Sequence, residues 1–234
     1  MKIPVRILSI RQETPTVKSY VLDLEDQKFS FLPGQWVDCC VDADGERGVA
    51  GYTLTSSPTT VGTIELTVRR SDEREVTRFM HEEAEAGDVI YVDGGQGDFY
   101  YEREMGASLT LIAGGIGITP LISMLRYIDE GTSDVKAKLF YSARAPSEIV
   151  FRRQLEEIAE SNERIDCVFT VTRPGREPWE GHTGRIGSRL LMDEGADLGG
   201  LFFICGPKPM GQDMEKILRG LGVPSERVRY EQWW

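Results

Sequence analysis

The sequence Leu111-Ile-Ala-Gly-Gly-Ile-Gly-Ile-Thr-Pro120 contains the transition on which the fold prediction depends. Its apolar start predicts a short buried strand, and the run TPLISMLRYIDEG at 119–131 predicts a helix. Thr119 is placed to cap that helix, and Pro120 suits its first turn. The stretch therefore predicts a strand that turns sharply into a helix.

Three glycines, Gly114, Gly115 and Gly117, occupy the turn between this strand and this helix. They would let backbone N–H groups approach a phosphate at the positive end of the helix dipole. A tight turn that binds nothing is the alternative interpretation. The pattern also departs from the usual dinucleotide fingerprint, because Thr119 and Pro120 stand where a third glycine is usual.

Strands and helices alternate from Ser108 to the C-terminus. Further apolar runs of strand length are AKLFYSA at 137–143, DCVFTVT at 166–172, LFFICG at 201–206 and VRYEQ at 228–232. Helical patterns follow two of them, EIVFRRQLEEIAESNE at 148–163 and PMGQDMEKILRGLG at 209–222, and a longer loop follows DCVFTVT. Continuous apolar strands that alternate with helices predict a parallel sheet covered on both faces.

The N-terminal half has a different rhythm. Its strand-like runs are VKSYVLDLE at 17–25, QWVDCCVD at 35–42, TIELTVRR at 63–70 and DVIYVDG at 88–94, with one helical run, EVTRFMHEEAEAG, at 75–87. Short strands at close spacing predict an antiparallel barrel or sandwich. The connector EREMGAS at 102–108 divides the chain into predicted domains of residues 1–103 and 104–234.

Composition excludes several classes of protein. The 234 residues include 27 Lys and Arg against 38 Asp and Glu, a net charge of −11 that opposes nucleic-acid binding. No apolar run approaches the roughly 20 residues of a membrane span, and the N-terminus lacks the pattern of a signal peptide. The cysteines form no C-x-x-C pair, which argues against a zinc or iron–sulfur site and suits a reducing compartment. We therefore expect a cytoplasmic monomer without a bound metal.

A second motif, Cys205-Gly-Pro-Lys-Pro-Met210, ends another predicted parallel strand. Ligands of such sheets bind outside the carboxyl ends of the strands, so this loop and the glycine turn should share one crevice. Cys205 by itself is typical of a small buried apolar residue.

Three further motifs accompany these two: Pro33-Gly-Gln-Trp36 with Gly51-Tyr-Thr-Leu-Thr-Ser-Ser-Pro58 in the first half, and Glu231-Gln-Trp-Trp234 at the C-terminus. In this order and spacing, the motifs resemble the ferredoxin–NADP reductase superfamily over essentially the whole chain. They are most similar to the small stand-alone oxidoreductase NAD-binding domain-containing proteins. The resemblance implies an N-terminal antiparallel Greek-key β-barrel that binds FAD, with FMN less favoured, and a parallel-sheet α/β domain that binds NADPH or NADH.

The resemblance also implies roles for individual residues. Tyr52 would stack on one flavin face, Thr53 would lie near flavin N5, and Trp233 would cover the opposite face. The other flavin contacts would come from Trp234 at the adenine, Leu66 and Val68 along the ring edge, and Thr77 near the pyrophosphate. The nicotinamide nucleotide would be bound by Gly115, Gly117, Thr119, Gly206, Pro207 and Met210. Thr53, Cys205, Glu231 and Trp233 would lie along the hydride path as the catalytic set.

Two positions depart from the family pattern. Ala50 stands where an arginine usually pairs with the flavin phosphate, and Arg74 stands where glycine is usual before Thr77. The loss of one charge-assisted contact should cost about 1.5–3 kcal/mol. The cations that could compensate are Arg69, Arg70, Arg74 and Arg78, and the alternative for this cluster is a solvated charged face.

The preferred nucleotide is suggested by Arg144, which ends the second strand of the predicted α/β domain. With Arg152 or Arg153 it could bind a 2′-phosphate, and the strand tip carries no acidic residue for a free 2′-hydroxyl, which favours NADPH. His81 and His182 fall in no motif and are predicted to be structural or surface residues.

The function predicted from the resemblance is a flavin-dependent NAD(P)H oxidoreductase. It would transfer electrons to a separate acceptor, because no cysteine spacing for a plant-type iron–sulfur domain is present. The net charge of −11 disfavours acidic ferredoxins and flavodoxins unless a local basic patch exists, so free flavin and quinones stay open as acceptors. A nucleotide-sensing or interaction module that retains the fold is the alternative, motivated by Ala50.

Overall fold

The computed structural model describes residues 2–42, 48–71 and 73–232, and every structural statement concerns these residues.

The first sheet is antiparallel. The strands of this sheet are β1 (Ile3–Thr14), β2 (Val17–Asp23), β3 (Trp36–Cys40), β4 (Ala50–Thr53), β5 (Thr63–Arg69) and β6 (Val89–Gln96). They are arranged in the order β4-β3-β6-β1-β2-β5, and all their pairings are antiparallel.

The two ends of this order meet, which closes the sheet into a barrel. Leu54, just after β4, forms an antiparallel bridge with Leu66 of β5, and Thr55 N donates to Glu65 O at 2.8 Å. Alternate residues of each strand point inwards, so Leu22, Val37 and Leu66 are buried in the barrel core. The predicted antiparallel barrel is confirmed.

One helix, α1 (Glu75–Glu82), covers the barrel. Its buried residues, Val76, Thr77 and Met80, recur at helical spacing and pack one face against β5 and the core. The helical pattern at 75–87 predicts a longer helix, but Glu83 N and Ala84 N both bond to Phe79 O and end it. The turn that follows reaches Gly87, whose φ is +103°.

The second sheet is parallel throughout. Its strands are β7 (Ser108–Gly114), β8 (Lys136–Ala143), β9 (Ile165–Val171), β10 (His182–Thr183), β11 (Leu201–Cys205) and β12 (Val228–Glu231), in the order β10-β9-β8-β7-β11-β12. The helices of this region are α2 (Ile118–Gly131), α3 (Arg152–Ser161), α4 (Ser188–Asp193) and α5 (Lys208–Gly220). Separate apolar clusters pack on the two faces of the sheet, as the continuous apolar strands predict.

Several further elements differ from the sequence predictions, among them β4 and β10, for which no strand was predicted. The 12-residue strand β1 falls in the N-terminal stretch for which we predicted no element. The helix α4 lies inside the segment predicted as a loop. Helix α3 begins at Arg152 rather than at Glu148, because Phe151 has a left-handed backbone with φ of +59° and separates it from a short 3-10 turn.

The two sheets contact each other through aromatic side chains. Phe99 and Tyr101, which follow β6, pack edge-on against Phe203 of β11, with ring centroids 5.5 and 6.2 Å apart. The domain boundary at residue 103 stays a prediction from the sequence.

In the described part of the chain, no helix combines the length and the apolar character that crossing a membrane requires.

Candidate functional site

A cleft of about 790 Å³ lies between the barrel and the carboxyl ends of the parallel strands. From the barrel, its walls are formed by β4, the end of β5 and the first turn of α1. From the second sheet, they are formed by the loops after β7, β8 and β11 and the first turns of α2 and α5. The crevice therefore flanks β7 and β11, the neighbours at which the strand order reverses, as expected for an open α/β sheet.

The two glycine-containing loops are in direct contact. A Cβ on Gly117 would lie 2.2 Å from the carbonyl oxygen of Cys205, and one on Gly114 would lie 2.7 Å from the sulfur of Met210. These two glycines are needed for the loops to approach each other. Gly115 differs, because its φ is +56° and a Cβ there would meet no described atom within 4 Å. Its backbone therefore faces the open cleft, where a ligand can approach it.

Helix N-termini make this part of the cleft suitable for anions. The glycine turn forms a 3-10 helix over Gly115–Gly117 that continues directly into α2, and α5 begins at Lys208 beside the same cleft. The N–H groups and the dipole at a helix N-terminus both favour negative charge. Tyr141 links the glycine turn to the segment after β8, because its hydroxyl donates to Gly115 O at 3.0 Å and accepts from Val150 N at 3.2 Å.

Thr119 lines the cleft, but the prediction that it caps the helix is wrong. The cap position is Gly117, and the Thr119 hydroxyl donates to Ile116 O at 3.0 Å. The helix begins earlier than expected because the glycine turn is itself helical. Gly206, Pro207 and Met210 line the cleft next to this turn.

The barrel wall presents aromatic and hydroxyl side chains. The phenol oxygen of Tyr52 is hydrogen-bonded to Thr77 Oγ1 at 2.8 Å, which ties β4 to the first turn of α1. Thr53 is buried at the edge of the cleft, next to Tyr52. Burial raises the pKa of the Tyr52 phenol, so the ring is neutral at physiological pH.

Two predicted contacts on β5 have their side chains elsewhere. Leu66 and Val68 are buried in the barrel core, and Thr67 between them lines the cleft. Any contact of Leu66 or Val68 with a ligand would therefore come from their backbone. Side chains alternate between the two faces of a strand, so Thr67 lies on the opposite face from Leu66 and Val68. The sequence alone does not show which of these faces lines the barrel core, and for that reason Thr67 was not predicted.

The C-terminal motif is only partly described. Glu231 ends β12 directly beside Cys205 in the parallel register. Burial and, to a smaller degree, the charge of Glu231 raise the pKa of the Cys205 thiol, which is therefore protonated at neutral pH. Trp233 and Trp234 lie outside the described residues.

Arginines gather at the barrel end of the cleft. Ala50 is buried where β4 pairs with Cys39, whereas Arg69, Arg70 and Arg74 line the cleft. Arg70 is paired with Glu82 at 2.9 Å. Arg74 precedes the first residue of α1, and its charge acts to lower the pKa of Tyr52, so it lies close to that phenol.

A second group of polar residues surrounds the far end of the cleft. Arg144 follows β8, and Arg185 follows β10, where its guanidinium lies 3.8 Å from Asp213. Arg152 and Arg153 are paired with Glu156 and Glu157 along α3, and neither lines the cleft. The expectation that one of them joins Arg144 at a 2′-phosphate is therefore withdrawn, and neither is part of the candidate site. Arg185 was missed in the sequence because the two-residue strand β10 has no detectable pattern.

A smaller hollow of about 480 Å³ lies beside β9 and β10 and contains none of the predicted site residues apart from Arg152. His182 lines it and lies 3.1 Å from Glu194, in agreement with a surface role. His81 instead contacts Val68 O of the barrel through its Nε2 atom at 3.0 Å. Within the ranges that the structure describes, no three His, Cys, Asp or Glu side chains form a metal-binding group.

The residues of the large cleft fit FAD and a nicotinamide nucleotide. Tyr52 offers a flat ring, Arg69 and Arg74 offer cations, and Gly115 offers open backbone at a helix N-terminus. The cleft joins all of these in one continuous space. The donors along this space therefore suit two nucleotides that approach each other from opposite ends.

Comparison with known families gives the same division of binding roles. Residues 4–101 match the oxidoreductase FAD-binding domain, and residues 111–216 match the oxidoreductase NAD-binding domain. The chain is 33% identical over 252 residues to oxidoreductase NAD-binding domain-containing protein 1 of Pongo abelii, covering 98% of this chain and 79% of the relative. It is 32% identical over 234 residues to the glycine betaine monooxygenase reductase subunit of Chromohalobacter salexigens, covering 98% of this chain. The chain spans only 63% of the length of that subunit.

Solved structures agree with the fold. The ferredoxin reductase in carbazole 1,9a-dioxygenase superimposes with a TM-score of 0.86 at 23% identity, covering 100% of this chain and 70% of that one. The flavohem-like FAD/NAD-binding domain of nitric oxide dioxygenase from Vibrio cholerae superimposes with the same TM-score and identity, covering 99% of this chain and 98% of that one. At this identity the likeness concerns the two-domain fold.

Proposed function

Since the chain belongs to the family of oxidoreductases that combine an FAD-binding domain with an NAD-binding domain, we propose that it is an FAD-dependent NAD(P)H reductase that transfers electrons to a separate acceptor. The observation that carries the proposal is the continuous cleft, in which the aromatic and cationic barrel wall faces the glycine turn and two helix N-termini. Bound FAD would accept a hydride from the nicotinamide and pass the electrons on. The chain itself binds, aligns and shields the two nucleotides.

The barrel residues would position the flavin. Tyr52 would lie against one face of the ring, held by its hydrogen bond to Thr77, and the Thr53 hydroxyl would offer a donor at the ring edge. Arg69 and Arg74 would bind the diphosphate in place of the cation missing at Ala50. For Trp233 and Trp234, stacking on the flavin and the adenine stays a prediction from the sequence.

The α/β residues would position the nicotinamide nucleotide. The backbone of Gly115 and the N-termini of α2 and α5 would bind its diphosphate. Arg144 and Arg185 at the far end would favour NADPH over NADH through a 2′-phosphate. The protonated Cys205 thiol, with Glu231 beside it, would lie at the nicotinamide end as a neutral group that excludes water.

The acceptor is proposed at the level of class. Two relatives that match this chain are named as reductase subunits of a monooxygenase, which supports a protein acceptor, and free flavin or a quinone is the alternative. The net charge of −11 disfavours an acidic partner unless a local basic patch outside the cleft attracts it. The cytoplasmic location and the monomeric state stay predictions.

The proposal is tested by the visible spectrum of the purified protein. We expect bound or reconstituted FAD with absorbance that bleaches when NADPH or NADH is added without oxygen. Titration with FMN under the same conditions is the control for the adenine half of the cofactor. A folded protein that binds NAD(P)H but no flavin would contradict the reductase and support the nucleotide-sensing alternative.

A further inference from the structure

A buried arginine of the second domain reaches into the barrel. Arg126 lies on α2, and its Nη1 atom contacts Glu65 Oε1 of β5 at 2.7 Å and donates to Thr55 O at 2.6 Å. Both charged side chains are only 10% exposed. Its other terminal nitrogen donates to Gln154 Oε1 of α3 at 2.6 Å, so the guanidinium connects three elements of the two domains.

The same face of α2 makes further polar contacts with the barrel. The Ser123 hydroxyl donates to Ser56 O at 2.7 Å, and Glu130 accepts from the Thr59 hydroxyl at 2.5 Å. Ser123, Arg126 and Glu130 are spaced by three and four residues, so they form one stripe along the helix. We call this stripe, with its partners at 55–59 and Glu65, the interdomain seam.

The seam joins the two halves of the cleft through rigid elements. Its helix begins at the glycine turn, and its barrel segment follows directly after Tyr52 and Thr53 on β4. On β5, Glu65 is two residues before Thr67, which lines the cleft. A shift at Arg126 would therefore move the wall proposed for the flavin against the turn proposed for the nucleotide.

The geometry of Arg126 is specified from several sides. Its guanidinium lies 5.2 Å from the centre of the Phe151 ring, and Phe151 has the left-handed backbone. Glu65 is held in turn by the Thr55 hydroxyl at 2.8 Å and by Arg11 at 3.4 Å. Buried ion pairs add little net stability, because desolvation offsets the attraction, but they can select one arrangement over others. Among the described residues, the buried Nε atom of Arg126 has no hydrogen-bond partner, so this site does not satisfy every polar atom that it buries.

We propose that Arg126 and Glu65 are a positioning pair that sets the separation and angle between the flavin wall and the nucleotide turn. The proposal rests on the proposed reductase function. Hydride transfer needs the reacting atoms about 3–3.5 Å apart, and a displacement of about 1 Å can cost about a hundredfold in rate. The pair would therefore act on the transfer step rather than on the affinity for either nucleotide.

The test is the variant Arg126→Gln, with Arg153→Gln as the matched control. Arg153 is also in the second domain and also paired with a glutamate, but its side chain is 91% exposed and it touches no barrel residue in the structure described. We expect Arg126→Gln to lower the limiting rate of flavin reduction about 10- to 100-fold at saturating nucleotide. The dissociation constants of FAD and NAD(P)H should change by less than about threefold, and Arg153→Gln should change none of these values.

A second readout measures the domain arrangement without any cofactor. Val61 in the barrel and Arg189 in the second domain are both more than 90% exposed, so each can be replaced by a cysteine that carries a spin label. Pulsed electron–electron double resonance then measures the distance between the two labels. Cys167→Ser would remove the one cysteine that is not fully buried. We expect the distance distribution to broaden in Arg126→Gln and to stay narrow in Arg153→Gln.

The outcomes separate this proposal from the proposed function. A folded Arg126→Gln protein with an unchanged distance distribution overturns the positioning role, whatever its activity. A wild-type protein that binds no flavin overturns the reductase, while the distance measurement still tests the seam. If Arg126→Gln does not fold, Glu65→Gln with the same two readouts replaces it, because Glu65→Gln keeps the volume and removes the charge.

Discussion

The two walls of the cleft are built by different means. The barrel wall relies on side chains, namely the ring of Tyr52, the hydroxyls of Thr53 and Thr77, and the nearby arginines. The α/β wall consists largely of backbone, because Gly114 and Gly117 let two loops touch and Gly115 borders open space at a helix N-terminus. In a side-chain wall one cation can replace another, as we propose for Arg69 and Arg74 in place of a cation at Ala50, whereas a backbone wall depends on the absence of a Cβ.

The largest effect is expected at the backbone wall, for Gly117→Ala. Its methyl group would lie 2.2 Å from the carbonyl oxygen of Cys205, and neither backbone can yield easily. We expect the free energy of unfolding to fall by about 3 kcal/mol and nucleotide binding to be lost. Denaturant unfolding and nucleotide titration measure both. The control is Gly220→Ala near the end of α5, where no described atom lies within 4 Å and alanine favours the helix. Equal effects of the two substitutions would contradict the distinction.

The side-chain wall is tested by Arg74→Gln. We expect FAD affinity to fall about 10- to 100-fold, because a charge-assisted contact worth about 1.5–3 kcal/mol is lost. Arg70→Gln is the comparison, since Arg70 is paired with Glu82 and should contribute less. The dissociation constants come from fluorescence titration of the apoprotein. If Arg74→Gln binds FAD as tightly as the wild type does, Arg74 does not replace the cation that is missing at Ala50, and another group binds the diphosphate.

The far end of the cleft is tested by Arg144→Ala. We expect KM for NADPH to rise about tenfold and KM for NADH to stay the same, because about 1.4 kcal/mol of phosphate contact is lost. Steady-state kinetics with both nucleotides and an artificial acceptor measures the ratio. A parallel rise for both nucleotides would show that Arg144 does not contact a 2′-phosphate. Arg153→Gln serves again as the cation-removal control outside the cleft.

The smallest effect is expected for the pH dependence of the unfolding free energy, and it involves a residue of the barrel. Burial and the nearby charges of Lys18 and Arg70 lower the pKa of His81, although its hydrogen bond to Val68 opposes the shift. The folded protein thus favours neutral His81, so the unfolded chain binds more protons near and below pH 6.5. Stability from this residue should be present above that pH and be lost as the pH falls. We expect a His81→Gln variant to show a shallower loss of unfolding free energy between pH 7 and pH 5. Identical pH profiles would contradict this assignment.

Much of the fold was predictable because its signals are local. The continuous apolar runs of β7 and β11 identify buried parallel strands, and the glycines between β7 and α2 identify the turn that lines the cleft. The two-residue strand β10 and the six-residue helix α4 were missed, because segments so short carry no periodicity. Thr119 was assigned as a cap by residue type, which cannot reveal that the preceding turn is already helical.

The sequence by itself determined the two kinds of sheet, the glycine turn and the set of motifs that identifies the family, because each depends on residues close together in the chain. Only the tertiary structure decided which face of β5 lines the cleft and which arginines surround it. It alone revealed the interdomain seam, because Arg126 and Glu65 are 61 residues apart and resemble ordinary surface charges in the sequence. Burial turns such a pair from a weak, screened contact into one with a defined geometry, and burial is a property of the packed domains.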